Sequence, residues 1–156
     1  MKKSRLLFSF FMVMVMIALG STDAAARGRV LGSRATAGFT NLYLQHNQSR
    51  NGANGMYVRF NFYVTGLMGQ NVKAVTTLYR SNGKKIYGYN GQPMQYTLSW
   101  RAGYPTTNFN DCWSWFNYGN MNLPRGRTDC YAVVKIYSGS GKLIHTSNRI
   151  PFWVNK

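Results

Sequence analysis

The segment Met56–Thr65 constrains this chain more than any other. Met56, Val58, Phe60, Phe62 and Val64 alternate with Tyr57, Arg59, Asn61, Tyr63 and Thr65. A period of two puts the apolar set on one face and the polar set on the other, which describes a half-buried strand. Such a strand is stable only when its apolar face meets a second layer. The rest of the chain must therefore supply one.

It does so with more short strands. Leu42–His46 opens the series, and a Gly66–Gly69 turn leads from the central strand to Val72–Arg80. Ser81-Asn82-Gly83 is a hairpin signal before Lys85–Tyr89. Met94–Trp100 alternates again, Gly103–Asn110 reads as a loop around Pro105, and Cys112–Tyr118 and Thr128–Tyr137 are separated by Gly119–Arg127. Ser138–Gly141 turns the chain into Lys142–Thr146, and Ile150–Val154 closes it. About eight short strands with turn residues between them, and no helical periodicity, predict an all-β, two-sheet antiparallel β-sandwich spanning 39–156. With 45% hydrophobic residues, 11 Tyr, 9 Phe and 4 Trp, the chain has material for a core, which excludes a disordered basic tail.

Residues 1–26 read as a secretory signal peptide. Lys2, Lys3 and Arg5 precede an apolar run from Leu6 to Gly20, and Ala24-Ala25-Ala26 supplies small residues for cleavage. The run falls short of the roughly 20 residues that span a bilayer, so no integral membrane anchor is expected after cleavage. The reading places the protein outside the cytoplasm, in a periplasm or fully secreted. Residues 27–38, rich in Arg and Gly, read as a basic N-terminal arm. Export into an oxidising compartment makes a disulfide between Cys112 and Cys130 the expectation.

Catalytic chemistry has little to work with. The chain contains no Glu, and after residue 26 the only acids are Asp111 and Asp129. The expected disulfide would draw them together as a possible acid/base dyad or small cation site. Arg101, Arg125 and Arg127 would instead hold both ionised, the wrong state for a general acid. His46 and His145 lack a carboxylate partner for a metal site. No G-x-S-x-G, H-E-x-x-H or phosphate-cradling glycine loop occurs. The expectation is a non-enzymatic protein with no cofactor and no metal. Asn47-Gln48-Ser49 has the form of a glycosylation sequon, which matters only in a glycosylating host.

The stretch Gly55–Gly69, the Asn82-Gly83 hairpin, the aromatic strand running to Leu123-Pro124-Arg125-Gly126 and the two closing strands together resemble the small immunoglobulin- or C2-like β-sandwich domains of exported bacterial proteins, many without assigned activity. The resemblance covers roughly residues 40–155 in strand order. It implies a fold and carries no catalytic set. Calcium-binding C2 loops need several aspartates, so that property does not carry over.

Charge and aromatics then point to binding. The chain has 19 Lys+Arg against 3 Asp+Glu, a net charge of +16. Tyr57, Arg59 and Tyr63 lie opposite the apolar stripe of the central strand. Lys73 and Tyr79 share a face of the next, with Arg80, Lys84 and Lys85 around the hairpin, and Tyr131, Lys135 and Tyr137 share a face of Thr128–Tyr137. Tyrosines interleaved with cations suit a polyanion such as an acidic glycan, lipopolysaccharide or single-stranded nucleic acid. Cross-strand Tyr pairs under Lys and Arg stems also stabilise a bare sheet face, so the pattern alone leaves both readings open. Two other readings stand beside it: a neutral-carbohydrate or protein-binding module using Trp113 or Trp115, and a structural or adhesin-type subunit that pairs through an edge strand.

Overall fold

A computed structural model describes residues 34–156; the segment 1–26 read as a signal peptide and most of the stretch 27–38 read as an arm lie outside the described residues. Eight strands follow one another: β1 (Thr36–Arg50), β2 (Ala53–Thr65), β3 (Asn71–Arg80), β4 (Gln95–Arg101), β5 (Thr106–Asn117), β6 (Arg127–Ser138), β7 (Leu143–Thr146) and β8 (Ile150–Asn155). They form two antiparallel sheets. The smaller has the order β1-β2-β5; the larger runs β4-β3-β6, with β7 and β8 sharing the far edge of β6 end to end. Ser147 bridges the gap between those two, its N–H donating to the Val134 carbonyl at 2.9 Å and its Oγ accepting the Val134 N–H at 2.9 Å.

The alternation of β2 becomes the inner wall of the smaller sheet, with Met56, Val58, Phe60, Phe62 and Val64 all buried. Facing them are Val72, Ala74, Thr76 and Leu78 of β3 and Cys130, Ala132, Val134 and Ile136 of β6, also buried. On β5 the inward set is Thr107, Phe109, Cys112, Ser114 and Phe116. One extra residue sits between Phe109 and Cys112, so the strand needs a bulge to keep both ends facing in. Asp111 provides it at φ 53°, donating its N–H to Asn61 Oδ1 at 2.9 Å.

Two chain crossings lie side by side at one end. The corner from β2 to β3 donates its Gly66 and Gly69 N–H groups to the carbonyls of Pro105 and Ala102, in the crossing from β4 to β5. Both glycines have positive φ, 78° and 75°, where a side chain would be strained. β2 ends and β3 begins at this corner, so β3 and β5 run away from it while β2 and β6 run toward it. Thr76 Oγ1 and Ser114 Oγ meet at 2.7 Å in the middle of the core, joining β3 to β5 across the sandwich.

That geometry overturns the Cys112–Cys130 disulfide. Both cysteines are buried free thiols, each donating to a carbonyl of its own strand, Asn110 for Cys112 and Thr128 for Cys130. Cys112 pairs with Phe60, which reaches Phe39 and then His145, the partner of Ile136. Cys130 pairs with Phe152, which reaches His46 and then Tyr118. The thiols are thus offset by about six residues, on the order of 20 Å at strand rise, whereas a disulfide needs Cα atoms about 4.4–6.8 Å apart.

Three segments also differ from the sequence expectation. β1 begins at Thr36, inside the stretch read as an arm, because bulges after Phe39 and Gln45 break its alternation. The expected loop Gly103–Asn110 turns into β5 at Thr106, where Thr107 and Phe109 point inward under a polar Asn/Thr exterior. Lys85–Tyr89 forms only isolated bridges, Tyr79 with Lys85, Tyr87 with Pro93 and Gly88 with Met121. There Gly88 donates to the Gln92 carbonyl at 2.8 Å, and the chain doubles back before a ladder can form.

The buried hydroxyl pair gives a direct test. Thr76→Val or Ser114→Ala each leaves one buried hydroxyl without its partner and should cost about 1–3 kcal/mol. The double variant should cost clearly less than the sum, a coupling that denaturant unfolding of the four proteins measures.

Candidate functional site

The outer face of the larger sheet carries a basic cluster set among aromatic rings. β3 and β6 pair Tyr79 with Tyr131, and alternation points both rings outward, stacked with centroids 5.2 Å apart at 11°. The Arg149 guanidinium lies 4.6 Å from the Tyr131 ring centre, a cation–π contact. Lys85 bridges to Tyr79 from the other side, and Lys84 follows the Asn82-Gly83 turn. Next along the edge, Arg127 sits 5.3 Å over Trp153, which is half exposed, and pairs with Asp129 at 3.1 Å. Ser81, Arg127, Asp129, Tyr131, Arg149 and Trp153 surround an open cleft of about 560 Å³.

The charge here is one-sided. Arg127–Asp129 is the one ion pair among the described residues. Arg149, Lys84 and Lys85 have no carboxylate partner among the described residues, and Arg80 turns its guanidinium to the Asn122 carbonyl at 3.2 Å. An anion entering the cleft would meet cations held flat against aromatic rings, which fixes long side chains before binding.

The eleven residues expected as one face separate into three groups. Tyr79, Arg80, Lys84, Lys85 and Tyr131 gather at this end. Lys73, Lys135 and Tyr137 share the outer face but lie beyond Thr77 and Val133, toward the other end of β3 and β6. Tyr57, Arg59 and Tyr63 lie on the opposite side of the molecule, outside the smaller sheet. There Tyr57 packs on Trp113 and Trp115 at 5.5 and 4.7 Å, Arg59 bonds Gln45, and Tyr63 covers Gly38. Alternation distinguishes inside from outside but cannot say which sheet's outside a strand joins, and the corner at Gly66–Gly69 sends β2 and β3 to different sheets. Arg149 and Trp153 escaped the sequence reading because they reach the cluster only through the pairing of β6 with β8.

The candidate chemical groups are dispersed. Asp111 sits on the bulge of β5 and Asp129 on β6, where it pairs with Arg127, so without the disulfide nothing draws the two carboxylates together. No group of three or more His, Cys, Asp and Glu clusters among the described residues. Burial, with Asp111 and Asp129 adding to it, pushes the Cys112 and Cys130 thiols up to about 11, which suppresses the reactive thiolate. His145 packs on Phe39 at 5.6 Å. His46 Nδ1 lies 3.0 Å from Tyr118 Oη with its ring against Phe152, and burial lowers its pKa.

No protein-family model matches the chain, and no curated protein matches it. A solved structure, Northeast Structural Genomics Consortium target SoR45, is 16% identical over 81% of this chain and 89% of that chain, with a TM-score of 0.26. No helix among the described residues is long and apolar enough to cross a membrane.

His46 generates a pH prediction. A histidine whose folded pKa lies below its unfolded value of 6.5 is protonated more readily when unfolded. Its contribution to stability is therefore lost as pH falls through 6.5 toward the lower folded pKa. The melting temperature should be lower at pH 5 than at pH 7.5, and His46→Gln should flatten that slope; an unchanged slope would place the titrating group elsewhere.

Proposed function

We propose that this is an exported, non-enzymatic β-sandwich module, of the immunoglobulin- or C2-like kind, that binds an anionic envelope component, with an acidic glycan as the preferred partner. One observation carries the reading: the Arg127 and Arg149 guanidinium groups lie over Trp153 and Tyr131 beside the Tyr79–Tyr131 stack, with Lys84 and Lys85 on the adjoining hairpin and Asp129 as the sole carboxylate of the cleft lining. From residue 34 onward, 14 Lys and Arg face two acids, more than solubility asks of a small domain. Flat rings give a sugar or base a stacking surface, and guanidinium groups pair with carboxylate, sulfate or phosphate. The reading of residues 1–26 as a signal peptide supports the proposal, since export would bring such a module to envelope polyanions.

Several weak ionic contacts make affinity fall steeply with salt. With about four contacts, binding of a heparin dodecasaccharide should weaken on the order of 100-fold between 50 and 200 mM salt. Arg127→Gln with Arg149→Gln should weaken it about 10-fold at low salt while leaving thermal stability near that of the parent. Arg59→Gln, on the opposite sheet, should leave it unchanged. Fluorescence or calorimetric titration checks this; salt-insensitive binding, or an equal loss from Arg59→Gln, would overturn it.

A further inference from the structure

A second concavity has different chemistry. At the end of the sandwich opposite the Gly66–Gly69 corner, the β1–β2 hairpin and the loop from Tyr87 to Pro93 enclose a cleft of about 780 Å³. Its walls carry Trp115 and Tyr89, and the amides of Asn51, Asn90, Gln92, Gln95, Asn117 and Asn120 line it. Arg50 is the one charged residue in the lining, and no carboxylate faces the space.

The cleft is organised before any ligand arrives. Asn117 Oδ1 accepts the Gly119 N–H at 2.7 Å and Asn90 Oδ1 accepts the Gln92 N–H at 3.1 Å. Each carbonyl is thereby fixed, and the amide nitrogen opposite it has no protein partner among the described residues. Gly88 permits this placement, since a Cβ there would lie 2.7 Å from Asn90 Oδ1. The Trp115 ring lies over Gly55, where a Cβ would come within 2.9 Å, and against Tyr57. Tyr89 is 66% exposed and is held by Lys156, whose ammonium lies 4.9 Å from the ring centre. Arg50 stacks 4.7 Å over Trp113, tying its guanidinium back toward the aromatic cluster of the smaller sheet.

We infer that this cleft is a glycan site for uncharged pyranose rings, distinct from the basic cluster. Pyranose rings offer an apolar C–H face for indole and phenol walls and a rim of hydroxyls that both donate and accept. Amide side chains match that rim because they also do both. An apolar ligand would strip water from six amides without replacing their hydrogen bonds. A polyanion would find one cation in this lining, against Arg127 and Arg149 in the other, where Lys84 and Lys85 follow on the adjoining hairpin. Binding at the amide cleft should therefore depend little on salt, the opposite of the basic cluster.

The test is a ¹H–¹⁵N NMR titration of the full chain with maltohexaose, cellohexaose and chitohexaose, each at 50 mM and 500 mM NaCl. At least one sugar should shift the Trp115 indole N–H and the Asn90 and Asn117 side-chain amides, with affinity changing less than twofold between the salts. Trp115→Ala should weaken binding about 10-fold, and Gln92→Ala, whose side chain has no partner among the described residues, should weaken it without altering the fold. The Arg127→Gln, Arg149→Gln variant should bind as the parent does. Absence of those shifts with all three sugars, their loss at 500 mM NaCl, or their loss in the double arginine variant would overturn the inference. Failure of heparin binding alone would leave this site standing, because it uses other residues.

Discussion

The hydrogen bond between Thr76 and Ser114 lies where the two sheets face each other, and it fixes which residues share a level. From the Gly66–Gly69 corner β5 runs away and β6 runs toward it, so every two residues gained on β5 are lost on β6. Cys112 therefore sits level with Ile136, while Cys130 sits level with Tyr118, His46 and Phe152. The same register keeps Asp111 and Asp129 apart. A buried hydroxyl pair costs little when each satisfies the other, but it penalises any slip that parts them.

The outside of each sheet inherits its chemistry from this arrangement. Inner positions are taken by apolar residues, so cations and amphipathic rings crowd the outer faces, where stems cover rings and heads stay in water. Five cation–π contacts result, involving Arg50, Arg59, Arg127, Arg149 and Lys156. On the proposed reading the two sides divide the work. The Tyr79–Tyr131 end meets anionic groups through charge, and the amide cleft beside Trp115 meets sugar rings through shape and hydrogen bonding.

Much of the fold was legible because alternation is a local signal. The β2 stripe, the β3 and β6 strands and the Asn82-Gly83 turn all follow from neighbouring residues. Where one inserted residue breaks the period, as at Thr40 in β1 and at Asp111 in β5, the strand was shortened or misread as loop. The Asn51-Gly52 turn, with φ of 52° and 75°, joins β1 to β2 and was a readable hairpin signal that went unused. The basic cluster was half legible. Tyr79 and Tyr131 sit on strands with clear alternation, but their union with Arg149 and Trp153 depends on pairings between distant segments. The cysteine pairing failed for the same reason, since a count of two says nothing about level.

The thiol state measures that register most directly. The protein, prepared under oxidising conditions and denatured without reductant, is alkylated with iodoacetamide and weighed as an intact chain. Two added carbamidomethyl groups are predicted, with no change in melting temperature when the folded protein is treated with dithiothreitol. An unalkylated chain two mass units lighter, carrying an intramolecular disulfide, would contradict the facing of the sheets on which the account rests.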